Sequence, residues 1–350
     1  MAEIRPLEED DVPAIAALLH RDLSPEDPVA EISRLIKGLT LDDPWRDPEL
    51  PSLVAVDDGE VVGFIGCQPK RVRFGDRSLR GVCVSQLTVA PDRRGGAAGA
   101  LMLRRTLTAG QDFTISDTAN EKVAQIWQTF GGHLDHARSC DWMVVLRPVR
   151  WLRGLVSDSL RHRPRPHPVG ALPFQAVRPN SPHWTFPELA GEVKGEDVDA
   201  ATIVESLPEM TRGYELWVDY DEQFLEYLFA EIEAHFGGLR RRLVSRDGRA
   251  LGWYAYVPMA GGLSRVLHLH LPPRDADPVL ADLLGQARAD GSSVIAGRSE
   301  PQLTLALQDR LPVLGFTRRP VLHSHEPELL ATMATGTALL TQLNSEWFAP

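Results

Sequence analysis

The stretch richest in chemical possibility is Leu87-Thr88-Val89-Ala90-Pro91-Asp92-Arg93-Arg94-Gly95-Gly96-Ala97-Ala98-Gly99. An apolar run leaves through Pro91 into a glycine-rich turn, and the turn opens directly into a helical segment. A helix start offers unpaired backbone N–H groups and the positive end of the helix dipole. A pyrophosphate fits there provided that no side chain blocks its approach, a condition that Gly and Ala meet. Arg93 and Arg94 add charge-assisted donors at the rim. A closely packed strand-to-helix turn would use the same small residues, so the turn alone does not choose between the two. Two further groups could move a proton: Ser85 through water, and Asp117 as a direct base. Each also has a plain role, as a satisfied core hydroxyl and as a turn or helix-cap residue. The pairs His268/His270 and His323/His325 each place two rings on one strand face. A metal site would need a third ligand and convergence of the pairs, so no metal is expected.

The elements that must position these residues follow from periodicity. In the first part of the chain, a strand at Glu3–Pro6 precedes helices with apolar stripes at Val12–Leu19 and Pro28–Leu39. Two β-like runs, Ser52–Val56 and Val61–Gln68, flank Asp57-Asp58-Gly59-Glu60, a hairpin signal. Runs at Val72–Phe74 and Val82–Val89 come next. Helix Ala98–Ala109, strand Phe113–Ser116, helix Ala119–Phe130 and strand Met143–Leu146 complete the unit.

Seven prolines lie between Pro164 and Pro187, a density that destroys helical and strand periodicity, so a connecting segment is expected. It carries Phe174, Trp184 and Phe186, which predicts that it packs on something. The order of elements then recurs: helix Asp221–Phe236, strands Leu239–Val244, Ala250–Val257 and Ser264–Leu271, helix Pro278–Ala289, strand Ser293–Ala296, helix Gln302–Leu311 and strand Arg318–His325. The expected domains are 1–148, a connecting segment 149–209, 210–326, and a tail 327–350. Trp253, Tyr254 and Tyr256 are candidate walls of an acceptor pocket, or ordinary core.

Composition excludes several classes. A net charge of −11 argues against nucleic-acid and anionic-membrane partners and would steer neutral or cationic substrates. No stretch approaches the roughly 20 apolar residues of a membrane span. The three cysteines, Cys67, Cys83 and Cys140, have no disulfide or zinc spacing. The acidic start MAEIRPLEEDDVPAI is unlike a signal peptide, and a reducing cytoplasm is the expected setting.

Val89-x-Pro91-x-x-Arg94-Gly95-x-x-x-Gly99 resembles the acetyl-CoA signature of the GNAT acyltransferases, V-x-P-x-x-R-G-x-G-x-G. Asn120-Glu-Lys-Val-Ala124-Gln-Ile126-Trp127-Gln-Thr-Phe130-Gly131 resembles that family's second block, N-x-x-A-x-x-L-Y-x-x-x-G-F. The resemblance implies an α/β fold of two tandem GNAT-like domains, each a mostly antiparallel central sheet flanked by helices. It implies acetyl-CoA or another acyl-CoA as co-substrate, with pantetheine along Leu87, Thr88 and Val89 and pyrophosphate on Arg94, Gly95, Gly96, Ala97, Ala98 and Gly99. Asn120 would contact the pantetheine arm or help hold the splayed strands, and Trp127 falls within the cofactor-binding block, where its helical spacing from Val123, Ala124 and Phe130 predicts a structural role. Ala97 departs from the family's Gly, Gly132 from its Phe, and Trp127 from the Tyr that usually protonates the departing thiolate, a role an indole N–H cannot fill. In the second half, Pro273-Arg274-Asp275-Ala276-Asp277 stands where a phosphate loop would, and its carboxylates would repel pyrophosphate. A degenerate copy that closes the acceptor pocket is expected. The implied activity is direct acyl transfer to the amine of a small molecule such as an amino sugar or amino-acid-like metabolite, by a monomer or homodimer. A non-catalytic acyl-CoA-binding regulator and an aminoacyl-tRNA-dependent peptidyl transferase are the alternatives.

Overall fold

The structure, a computed structural model, describes residues 2–136, 138–151, 193–271, 276–301, 303–308, 310, 312–316 and 319–348. The aromatic connector residues Phe174, Trp184 and Phe186, and Pro273–Asp275 of the second half, lie outside the described residues. No described helix is long and apolar enough to cross a membrane.

The first unit runs β1 (Glu3–Pro6), α1 (Val12–Asp22), α2 (Val29–Thr40), β2 (Leu53–Asp57), β3 (Glu60–Phe74), β4 (Arg77–Val89), α3 (Ala98–Leu107), β5 (Phe113–Ser116), α4 (Glu121–Thr129) and β6 (His133–Leu134). The β2–β3 turn has left-handed backbone at both Asp58 (φ 52°) and Gly59 (φ 81°), the geometry that matches strand twist in a two-residue hairpin. Strand alternation then sorts the side chains. Val54 and Phe64 join α1 and α2, whereas Leu53, Ala55 and Ile65 join Met102 and Leu103 of α3 and Trp127 of α4 on the opposite face.

The chain continues with β7 (Cys140–Val145), β8 (Val193–Asp197), α5 (Ala200–Met210), β9 (Leu216–Val218), α6 (Glu222–Phe236), β10 (Arg240–Arg246), β11 (Arg249–Val257), β12 (Leu263–Leu269), α7 (Ala276–Ala289), β13 (Val294–Arg298), α8 (Leu303–Gln308), β14 (Val313–Phe316), β15 (Val321–Ser324), α9 (Pro327–Met333) and β16 (Ala338–Leu339). Two mixed sheets result. The first has the order β1-β2-β3-β4-β5-β15-β6, with β9 and β16 attached beside β3. The second has the order β14-β7-β13-β12-β11-β10-β8.

This topology differs from the expected organisation at three places. The strand expected to complete the first unit, β7, pairs instead with β13 and β14 of the second sheet. The strand expected to close the second unit is β15, which inserts between β5 and β6 of the first. The connecting segment is also shorter than 149–209, because Val193–Asp197 pairs with β10 and Asp199 caps α5 by accepting from the Thr202 amide at 2.9 Å. The two units are therefore laced together by exchanged strands.

The second sheet's faces follow the same parity. Trp253, Ala255 and Val257 join a core shared with α2, β5, α6 and the C-terminal tail, while Tyr254 and Tyr256 join α7 on the outer face. The Tyr254 hydroxyl donates to Asp282 and the Tyr256 hydroxyl to Asp290, each at 2.5 Å. These two tyrosines thus face away from the first domain and are not pocket walls, because parity assigns them to the helix-covered side.

Between the units lies a buried ionic chain. Arg138 donates from Nε to Glu300 and from Nη1 to Asp135, both at 2.8 Å. Arg298 donates from Nη1 to Asp117 at 2.5 Å and from Nη2 to Glu300 at 2.8 Å. The remaining donors hold the tail: Arg138 reaches the carbonyls of Met333 and Ala338, and Arg298 that of Leu340. All five charged side chains are buried. Removing one guanidinium strands its carboxylates in a low dielectric, so Arg298→Met is expected to cost about 3–5 kcal/mol, read by chemical denaturation. A loss below about 1 kcal/mol would contradict this role for Arg298.

Candidate active site

β4 and β5 are parallel neighbours through three register pairs, Gly81–Phe113, Val82–Thr114 and Cys83–Ile115. Beyond Cys83 and Ile115 that ladder stops, and the strand ends part. β4 also slips by one residue against β3, because Phe64 pairs with Thr88 and Gly66 with Ser85. The extra residue is accommodated at Gln86, whose backbone is left-handed (φ 55°), an uncommon state for a side-chain-bearing residue. The bulge re-aims the strand, so Gln86 lines the cleft at the parting while Ser85 stays beneath it.

Past Val89 the chain makes a short 3-10 turn at Pro91–Arg93 and enters α3 from Ala97 with no side-chain cap. Gly95 is left-handed (φ 89°), and a Cβ there would meet nothing within 4 Å. A Cβ on Gly99 would come within 3.3 Å of Val89 Cγ2. An uncapped helix start beside open glycines is what an anionic pyrophosphate needs. Arg94, at its rim, donates from Nε to the Val89 carbonyl at 3.1 Å and is ion-paired with Asp22 at the end of α1. Asp22 also accepts from the Thr88 hydroxyl at 2.7 Å. These contacts hold the Asp22 carboxyl below its ordinary range against the cost of its partial burial.

A cleft of about 1200 Å³ opens from the parting of the strands. Gln86, Thr118 and Asn120 form its first-domain wall, and Trp142, Arg265 and Leu314 belong to the second sheet's wall. The α1–α2 loop contributes Glu26 and Asp27, with Glu31 from α2. Asn120 caps α4 by accepting from the Val123 amide at 3.0 Å, and it is exposed.

Ser85 and Asp117 sit close to the parting but are turned away from the cleft. Ser85 Oγ accepts from Gln68 at 3.2 Å, and Asp117 accepts from Arg298 and Ser345. Both side chains are buried. Trp127, placed by sequence in the cofactor-binding block and given a structural role by its helical spacing, is buried in the first core with Ala124 and Val321, on the sheet-facing side of α4. His268 is buried and within 2.9 Å of the Thr341 hydroxyl, while His323 and His325 meet edge to face at the β15 end. Among the described residues, no group of three His, Cys, Asp or Glu side chains is placed to hold a metal.

Glu346 was not a sequence candidate. It lies in the C-terminal tail with no motif around it, yet it lines the cleft at the end of β5. Oε2 accepts from the amides of Asp117 and Thr118 at 2.6 and 2.8 Å, and Oε1 from the Thr118 hydroxyl at 2.8 Å. The only local hint was Trp347-Phe348, an aromatic anchor that holds the tail in the shared core.

The sequence profile of the acetyltransferase (GNAT) family matches residues 13–130. That span holds both the helix-start loop and the parting strands. Residues 13–130 are a GNAT-family acetyltransferase domain. Solved structures extend the likeness over the whole fold. A protein of unknown function from Enterococcus faecalis V583, described as a probable N-acyltransferase, matches with a TM-score of 0.61 at 10% identity, over 93% of this chain and 73% of its own. A GCN5-related N-acetyltransferase from Anabaena variabilis ATCC 29413 gives 0.57 at 12%, over 93% and 73%. One from Kribbella flavida gives 0.55 at 14%, over 93% and 72%. At such identities the likeness is one of fold. No curated protein sequence matches significantly. The GNAT domain makes the chain an acyltransferase.

Two variants test these placements. Gly95→Val forces a branched side chain into left-handed backbone at an exposed loop, so it is expected to weaken acetyl-CoA binding in calorimetry at least tenfold with little change in melting temperature. Equal binding would remove the loop from the site. Trp127→Tyr brings a hydroxyl into an apolar core, so it is expected to cost about 1–3 kcal/mol and to give no gain in turnover. A faster, equally stable variant would place residue 127 at the reacting centre.

Proposed function

We propose that this protein transfers an acetyl or other acyl group from acyl-CoA to the amine of a cationic small molecule, by direct attack with both substrates bound. The observation that carries this reading is the continuity of three features: the bulged end of β4, the uncapped start of α3, and the cleft between the parted strands. Backbone groups of Leu87, Thr88 and Val89 would pair with pantetheine as an added strand pairs with an edge. The amides from Arg94 to Gly99, through Gly96, Ala97 and Ala98, would hold pyrophosphate, with Arg94 exchanging Asp22 for phosphate. A backbone N–H freed at the bulge would stabilise the charge that develops on the thioester oxygen. Asn120 would fix the parted end of β5 through its cap.

The acceptor preference rests on charge. Glu26, Asp27 and Glu31 stand together on one rim of the cleft, within a chain of net charge −11. Such a rim concentrates cationic substrates. Leu314 supplies exposed apolar wall opposite, a combination that suits an amino sugar, a polyamine or an amino-acid-like metabolite. The second domain would serve as a lid without a CoA site of its own, since α7 begins with the acidic Asp277 in its first turn. Asp117 would support the site by holding Arg298 and the tail. Ser85, fixed to Gln68, would support the bulge.

The test is release of free thiol from acetyl-CoA in the presence of spermidine, glucosamine and lysine ethyl ester. At least one amine is expected to raise the rate well above hydrolysis, and added salt is expected to raise its KM more than it lowers kcat. Calorimetric binding of acetyl-CoA with no amine-dependent thiol release would favour a non-catalytic acyl-CoA-binding regulator.

A further inference from the structure

Resting on the transferase reading, one feature of the cleft remains without a role: a buried carboxylate that touches solvent-facing chemistry through a single hydroxyl. Thr118 is exposed and lines the cleft two residues beyond the end of β5. Its hydroxyl donates to Glu346 Oε1 at 2.8 Å. Glu346 itself is buried, 2% exposed, and its other oxygen is held by the Asp117 and Thr118 amides and approached by Ser116 Oγ at 3.2 Å. The carboxylate is therefore fixed in position, and among the described residues the side chain that joins it to the cleft is that of Thr118, through Oγ.

The geometry points to Thr118 and Glu346 as a proton relay that deprotonates the acceptor amine. The acceptor ammonium gives one proton to Thr118 Oγ while Thr118 passes its own to Glu346 Oε1. The nitrogen lone pair so exposed forms the C–N bond at the thioester carbonyl. The C–S bond breaks with its electron pair on sulfur, and the second proton lost by the nitrogen neutralises the thiolate. Across the parting, Gln86 on the bulge of β4 faces the same space, so a thioester bound there as proposed would lie beside the relay.

The charges around the relay support this use. Burial first, and then the Asp117 carboxylate alongside, push the Glu346 carboxyl up to about 7, against the lowering effect of the Thr118 and Asp117 donors. Asp117 is itself neutralised by Arg298 from β13. From β4 comes the Cys83 thiol, which burial keeps protonated, and from the segment before β15 comes Arg319, bridged to Thr118 through the backbone. A base must be ionised to act, so the relay switches on as pH rises through about 7.

The experiment uses the full chain with acetyl-CoA and the best amine of the panel, following thiol release across pH 5.5–9. Wild-type kcat/KM is expected to rise through a limb near 7. Thr118→Val, at an exposed position, is expected to keep the fold and acetyl-CoA affinity but lose about a hundredfold or more in kcat, and the limb with it. Thr118→Ser is expected to restore most of that loss, and Glu346→Gln to abolish the limb. An active wild type whose Thr118→Val variant keeps rate and limb overturns the relay alone. A wild type that binds acetyl-CoA yet acylates no amine overturns the transferase reading together with it.

Discussion

Two arginines cannot be taken out of water unless something else comes with them. Arg138 and Arg298 lie at 3% side-chain exposure between the two sheets. Ionised groups at such depth demand partners of opposite charge and good geometry. The partners come from four stretches of chain: Asp117 after β5, Asp135 beside β6, Glu300 after β13, and backbone carbonyls of the tail. Each guanidinium has a rigid fork of donors, so the partners have to arrive from set directions. This one requirement fixes the relative position of the two sheets. It also fixes the path of the tail, since the carbonyls of Met333, Ala338 and Leu340 are held in turn. The tail so led carries Glu346 against the end of β5. Burial pushes its carboxyl and that of Glu300 upward, and the two arginines beside Glu300 oppose that shift.

Local pattern made much of the first domain legible. Alternation placed β2 and the ends of β3 and β4, and Asp58-Gly59 marked their hairpin because only left-handed backbone fits there. The glycines after Pro91 and the block from Asn120 to Gly131 pointed to the helix-start loop and to α4. What was hidden is what local pattern cannot encode. A strand's periodicity says that it has two faces, not which sheet it joins, so the exchange of β7 and β15 was invisible. The prolines of the connecting stretch masked a clear capping signal at Asp199, and with it α5. Parity in β11 is legible in the sequence: alternate residues face opposite ways, so Trp253 and Tyr254 cannot line one pocket together.

The site itself was half legible for the same reason. Residues proposed to act through the backbone, such as Gly95 and Gly99, announce themselves by type. Residues that act through long-range placement do not. Glu346 is an unremarkable acid in sequence, and Thr118 a lone hydroxyl. Their meeting depends on the tail being drawn under β5 by Arg298, a residue more than 40 positions upstream of Glu346 and in another sheet.

The exchange of β15 has a consequence for how the molecule comes into being. The first sheet lacks the strand between β5 and β6 until residues 321–324 have been synthesised. Contacts of such sequence separation form slowly, and an open strand edge invites misassembly while it waits. The cleft is thus completed last, by the same stretch of chain that closes the sheet and delivers Glu346. A nascent chain stalled short of that stretch has the helix-start loop but not the finished cleft.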